Sequence, residues 1–265
     1  MGIILLIREV IELNSKQIEK PVTDYDTNYF DQSYLDAHKK ILNDGLEEQI
    51  ELISSILNST KETNILDFFC GHGRHAFKLL DKGFNVTGLD INEKYLEIIK
   101  TRTNDTIKTI HADGRKYIGK ENFDAVLSLE NSIGYIENYD DNLAILKSIH
   151  SCLKPKGKLI MTLINRDYFI RKFHTLAWFE NGEGKYILEK RKFDSKTSVL
   201  QIEEKRLTVN GPEQNYKLNM RLFGATELNQ MLKIAGFQVI DLFGDFDKNS
   251  YHLNSPEMIY ICEKI

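Results

Sequence analysis

Asp67-Phe68-Phe69-Cys70-Gly71-His72-Gly73-Arg74-His75 is the stretch whose reading decides the fold. Ile65 to Phe69 read as a short buried strand and Gly71 with Gly73 as the tight turn after it. Ala76, Phe77, Leu79 and Leu80 then give the inner face of an amphipathic helix. Glycines at such a turn let a ligand approach the backbone closely, and the small Ala76 lets helix and strand pack. Loops of this kind commonly meet a pyrophosphate. Asp67 argues against one here, because a carboxylate aimed at the loop repels phosphate and suits a cationic ligand.

The next two strands extend the pattern. Phe84 to Asp90 ends in an acid, and so does Ile107 to Asp113; both intervals, from Asp67 to Asp90 and from Asp90 to Asp113, are 23 residues. Such a spacing fits one strand plus one crossover helix, which places consecutive strand ends on one edge of a parallel sheet, where ligands of open α/β folds bind. Three carboxylates are thus presented to one groove. S-adenosylmethionine, with its ammonium, sulfonium, ribose and adenine and no phosphate, matches them. Asp67 would face the methionine end, Asp90 the ribose hydroxyls and Asp113 the adenine amino group. The plainer alternative is that each acid caps the helix that follows.

The spacing D-x-x-C-G-x-G resembles the first motif of class I S-adenosylmethionine-dependent methyltransferases, and Val86-Thr87-Gly88-Leu89-Asp90 resembles their second. The chain from about Asp24 onward is similar to the small-molecule methyltransferases with an antiparallel lid, including amine and amino-sugar N-methyltransferases. Leu129-Glu130-Asn131-Ser132-Ile133-Gly134-Tyr135 and Gly244-Asp245-Phe246-Asp247 with Tyr251 resemble that group's segment after strand four and its last hairpin. The resemblance implies cofactor contacts from Asp67, Cys70, Gly71, Gly73 and Arg74, then Asp90 and Ile91. It further implies Ala112, Asp113 and Gly114, Leu129, and an N-terminal aromatic segment with Tyr25, Tyr29 and Tyr34 folded over the cofactor. Phe69 departs from the small residue usual at its place. The Asn-Pro-Pro-Tyr motif of adenine and glutamine amide methyltransferases is missing after strand four, which disfavours those acceptors.

Outward from the motifs, the pattern predicts an α/β, Rossmann-like doubly wound sheet of seven strands. A helix runs to about Asn58 with Leu42, Leu46, Ile50, Ile53 and Leu57 on one face. Phe123 to Leu129 and Lys158 to Ile164 follow as strands, with Lys154-Pro155-Lys156-Gly157 a turn between helix and strand. A helix over Leu228, Met231, Leu232 and Ala235 has Thr226 as its expected N-cap. Phe237 to Phe243 and Met258 to Cys262 close the sheet as an antiparallel hairpin, since the loop between them has no room for a crossover helix. Between strand five and the last helix, Lys185 to Asp194, Lys196 to Val209 and Gln214 to Phe223 read as an inserted antiparallel meander, with Asn210-Gly211 favouring a type I′ turn. The expected division is an N-terminal arm over 1–20, a cofactor core over 21–164 and 224–265, and a lid over 165–223. The lid should roof the acceptor and matter little to cofactor affinity.

Composition narrows the partners. A net charge of −4 in 265 residues gives no electrostatic footprint for nucleic acid or anionic membrane. The apolar run Ile3 to Ile7 closes at Arg8 and is too short to span a bilayer. Cys70, Cys152 and Cys262 are far apart and odd in number, which favours a reducing, cytoplasmic setting and speaks against structural zinc; no metal is expected. Monomer and homodimer stay open.

Methyl transfer from a sulfonium needs alignment more than a protein nucleophile, so the expected reaction is methylation of a small-molecule acceptor, most naturally an amine nitrogen. An amine must arrive neutral or lose a proton, and Glu130, Tyr135 and His174 are the candidate groups. His75 reads as a packing residue on the first helix, and Trp178 as either pocket lining or lid core. The competing readings are O-methylation, RNA or cap methylation, a nicotinamide-dependent oxidoreductase built on the same glycines and Asp90, and a non-catalytic methyltransferase-like subunit.

Overall fold

The computed structural model describes residues 28–58, 62–182, 184–208 and 211–265. The expected arm over 1–20, Tyr25 and the predicted turn at Asn210 lie outside the described residues.

Seven strands form the main sheet: β1 (Asn64–Phe68), β2 (Asn85–Asp90), β3 (Lys108–His111), β4 (Phe123–Ser128), β5 (Leu153–Ile164), β10 (Phe237–Phe243) and β11 (Glu257–Lys264). Their order is β10-β11-β5-β4-β1-β2-β3. β1 to β5 run parallel, whereas β11 is antiparallel to both β5 and β10, as the short last connection requires. Both faces are covered, which is why strand interiors read as continuous apolar runs without alternation. On one face, Ile65, Ile160 and Ile259 pack under α2 (Leu46–Leu57), α3 (Arg74–Asp81) and α4 (Glu93–Thr103). On the other, Leu66, Met161 and Tyr260 pack under α5 (Tyr139–Cys152) and α7 (Ala225–Ile234). The carboxyl ends of β1, β2 and β4 thereby share one edge.

A separate antiparallel sheet, β6-β7-β8-β9, sits in the connection between β5 and α7. Its strands are Leu176–Glu180, Lys185–Asp194, Val199–Thr208 and Gln214–Arg221. One face buries Leu200, Ile202, Leu218 and Met220 against Tyr29, with Phe30, Tyr34 and Tyr135 alongside.

Several boundaries differ from the sequence reading. The long N-terminal helix is two, α1 (Gln32–Asn43) and α2, broken where Gly45 takes φ 68. The insertion has four strands: β6 is added at the edge, with Leu176 and Trp178 exposed on its outer face, so Trp178 is neither pocket lining nor lid core. β8 begins only at Val199, after a turn in which Ser198 adopts φ 57. A short helix α6 (Arg166–Arg171), capped by Asn165, precedes β6. The predicted turn at Lys154 to Gly157 is an irregular stretch inside β5, with Lys156 at φ 61 and a register shift against β4. The N-cap of α7 is Gly224, not Thr226, because the helix already starts at Ala225.

Close packing between β1 and β2 sets a stability expectation. A Cβ on Gly88 would stand 2.7 Å from the Cys70 sulfur. Gly88→Ala should therefore cost about 1–3 kcal/mol through overpacking, read as a lower urea midpoint. Cys70→Ala in the same chain should restore part of the loss, since it removes the clashing sulfur.

Candidate functional site

The site starts where β1 ends. Phe69 leaves the strand with φ 69, a left-handed conformation that costs a bulky residue about 1–3 kcal/mol. The turn is held because the Phe69 and Cys70 N–H groups both donate to the Leu89 carbonyl of β2, at 2.8 and 3.0 Å. Gly71 and Gly73, at φ 53 and φ 88, complete the loop into α3.

Asp90 closes it from β2. One carboxylate oxygen accepts the Gly71 N–H at 2.8 Å and the other accepts the Asn92 N–H at 2.8 Å. Burial raises its pKa against the pull of those bonds. Asp67, buried beside it, has an oxygen with no hydrogen-bond partner. Burial first, and the neighbouring Asp90 second, push its pKa up to about 7, with Arg74 pulling the other way.

Opposite the glycine loop, Glu130 leaves β4 with φ 56. Its carboxylate accepts from Gln49 at 2.7 Å and pairs with Arg74 at 3.1 Å. Gln49 in turn accepts from His75 Nε2 at 2.6 Å, and Arg74 also donates to the Leu42 carbonyl. Burial and then Arg74 hold His75 neutral, well below the usual imidazole range. That leaves His75 as a buried donor on α3, as its position suggested.

A pocket opens between these groups. Of the residues singled out from sequence, Asp67, Cys70, Gly71, Arg74, Asp90, Ile91 and Leu129 line it, with Tyr34, Glu130 and Tyr135. Others do not. Asp113 lies beyond the end of β3; burial opposes its ionisation, but the Arg115 guanidinium and N–H at 2.8–3.1 Å take its carboxylate and hold its pKa down. Gly114 is filled against by the Phe69 ring, whose atoms would lie 2.7 Å from an added Cβ. Ala112 packs into the core, and Gly73 packs on Ile99. His174 is exposed between α6 and β6, drawn to the edge of the inserted sheet where Arg191 N–H bonds the Thr175 carbonyl.

Sequence reasoning passed over other wall residues. Asn92 and Tyr95 flank Asp90, and the Tyr95 hydroxyl is buried without a partner. Leu218 and Asn219 come from β9 of the inserted sheet, and Phe30 stands beside Tyr29, which the sequence reading placed in the aromatic segment before the first helix. Asn92 and Tyr95 carried a local signal, since both follow the acid of β2 within one turn of α4; Leu218 and Asn219 carried none.

A family profile described as a methyltransferase domain matches residues 65–157. A glycine/sarcosine N-methyltransferase of Aphanothece halophytica is 27% identical over 93% of this chain and 98% of its own length. Among solved structures, an S-adenosylmethionine-dependent methyltransferase of Clostridium acetobutylicum superposes with a TM-score of 0.76 at 14% identity, covering 90% of this chain and 98% of that one. An amino pentose methyltransferase of Micromonospora echinaspora, with S-adenosylmethionine bound, gives 0.69 at 17%, covering 89% and 98%. Residues 65–157 match a methyltransferase domain, and the chain has the class I methyltransferase fold.

S-adenosylmethionine is the cofactor of this methyltransferase class, and the residues present fit it. The unpartnered Asp67 oxygen is suited to a cation, and each Asp90 oxygen keeps a lone pair for a ribose hydroxyl. Ile91 and Leu129 offer apolar walls to a base, and the Tyr95 hydroxyl is a further free polar group.

With the Asp67 pKa pushed up to about 7, a cationic ligand should bind its ionised form and release a proton. Affinity for S-adenosylhomocysteine should then rise about tenfold from pH 6 to pH 8. Calorimetry in buffers of different ionisation heat reads both the affinity and the proton. Asp67→Asn should flatten the profile.

Proposed function

We propose that this methyltransferase transfers a methyl group from S-adenosylmethionine to the nitrogen of a small-molecule amine, under a lid formed by residues 165–223. The observation that carries the reading is the character of the wall beyond the cofactor groups. Glu130 and Glu137 stand there among Phe30, Tyr34 and Tyr135, roofed by Leu218 and Asn219. Carboxylates set among aromatic faces suit an ammonium, through ion pairing and cation–π attraction. The similarity to an N-methyltransferase along nearly the full chain and to an amino pentose methyltransferase in fold supports the same class. Three buried, unpaired cysteines fit a reducing cytoplasm. Among the described residues no helix is long and apolar enough to cross a membrane.

When bound, the cofactor supplies an activated methyl group on sulfur. The chain's own residues then act in three ways. Asp90 with the Gly71 loop fixes one end of the site, so that position is set before the acceptor arrives; orientation of this kind contributes roughly 7–11 kcal/mol in favourable cases. The lid and the aromatic segment exclude water. Glu130, held at the pocket by Gln49 and Arg74, is the carboxylate placed to receive the ammonium proton. Tyr135 is a poor proton acceptor, since burial pushes its hydroxyl well above the ordinary phenol range, and it serves as a hydrogen-bonding wall. His174 has no part in the transfer, being exposed away from the pocket.

The test is release of S-adenosylhomocysteine against matched amines and alcohols, including glycine, sarcosine, amino sugars and simple amino alcohols. Release with amines and none with the corresponding alcohols is the expected result. Turnover with hydroxyl acceptors alone would overturn it. Glu130→Gln should lower kcat/KM for the active amine about 100-fold, the lower end for loss of a proton acceptor, while cofactor affinity changes little.

A further inference from the structure

The segment that lies over the pocket is gripped from two sides. Tyr29 and Phe30 contribute consecutive peptide carbonyls. The Phe30 carbonyl accepts from Asn92 Nδ2 at 3.0 Å, and Asn92 is itself held through its N–H by Asp90 at 2.8 Å. The Tyr29 carbonyl accepts from Arg206 Nη2 at 2.9 Å, and Arg206 belongs to β8 of the lid. One peptide unit therefore separates a hydrogen bond to the turn leaving β2 from a hydrogen bond to the lid.

The lid end of this grip is built with care. Arg206 Nε donates to Glu204 at 2.6 Å, and the other Glu204 oxygen accepts the Tyr29 hydroxyl at 2.7 Å. Arg206 Nη1 reaches Asp31 at 3.1 Å and the Ser33 hydroxyl at 2.8 Å, and its guanidinium lies 3.8 Å from the Tyr216 ring centre. Arg206 and Glu204 are 3% and 1% exposed. A buried ion pair is a weak source of net stability, because desolvation offsets the attraction, so stability alone does not account for it. What the arrangement does supply is one fixed path for residues 29–33, which come from far away in sequence.

We infer that Arg206 is a positioning residue for the cofactor, acting through the backbone of residues 29–31 to seat Tyr29, Phe30 and Tyr34 over the pocket. The inference rests on reading that pocket as the S-adenosylmethionine site, and it replaces the expectation that the lid matters little to cofactor affinity. It also means that ribose contact at Asp90 and order in the lid are two ends of one hydrogen-bonded chain, so the cofactor, once bound, braces the roof under which the acceptor sits.

The experiment uses the full chain with S-adenosylhomocysteine as probe, measured by calorimetry and by amide hydrogen exchange. Arg206→Met should weaken binding about tenfold, the order for one lost hydrogen bond to a charged group. Asn92→Ala should weaken it similarly. Because both hold the same strap, the double variant should lose about as much as the worse single one and not the product of the two. Exchange across residues 28–34 should slow on ligand addition in the wild type and speed up in Arg206→Met, with the β1, β4 and β5 amides unchanged. Arg206→Lys, which keeps the charge beside Glu204, should recover part of the affinity. If Arg206→Met fails to fold, Tyr29→Phe, which deletes only the bond to Glu204, should still speed exchange across 28–34 and weaken binding. Wild-type affinity in a folded Arg206→Met chain, or multiplicative losses in the double variant, would overturn the inference. A wild-type chain that binds no S-adenosylhomocysteine would instead sink the reading of the pocket, and the inference with it.

Discussion

The carboxylate of Asp90 is the constraint on which the site depends. It joins two turns that have no covalent reason to meet: the glycine loop leaving β1, through Gly71, and the turn leaving β2, through Asn92. Hydrogen bonds to a charged acceptor are stronger than neutral ones, so one side chain can hold two backbone segments in register. Because β1 and β2 pair in parallel, with Asp67 opposite Gly88, the same sheet edge also fixes Asp67 beside it. Place, charge and shape of the pocket floor follow from that pairing.

Two features show the fold giving up stability at the site. Phe69 holds a left-handed backbone, and Asp67 is buried with an unpartnered oxygen. An unfolded aspartate titrates near 4 and the folded Asp67 at about 7, so the native chain binds that proton more tightly. Its contribution to stability is present at low pH and falls as pH rises between those values. A cation in the pocket compensates the same charge. Strain and unpaired charge of this sort are expected where a ligand completes the structure.

How much of this was legible depended on whether the signal was local. The strands β1 and β2 and their acids were readable, because a buried parallel strand is an apolar run against which an acid stands out, inside β1 at Asp67 and at the end of β2 at Asp90. Asp113 kept the same spacing, but Arg115, two residues on, claims its carboxylate, and spacing cannot show that. The stripe Leu42, Leu46, Ile50, Ile53 and Leu57 runs on through Gly45, so one helix was read where the backbone turns. In β6, Leu176-Ala177-Trp178-Phe179 is apolar throughout and has no period-two signal. The contacts of Arg206 and Glu204 with Tyr29 span 177 and 175 residues, and no motif records such a meeting.

Trp178 gives the molecule an optical property of its own. It is the chain's single tryptophan, it is 57% exposed, and it sits on the outermost strand of the inserted sheet. The main sheet holds the pocket floor and no indole at all. Light emitted in the tryptophan band therefore comes from the inserted sheet alone, so its intensity, wavelength and polarisation report that sheet's surroundings without background from the pocket floor.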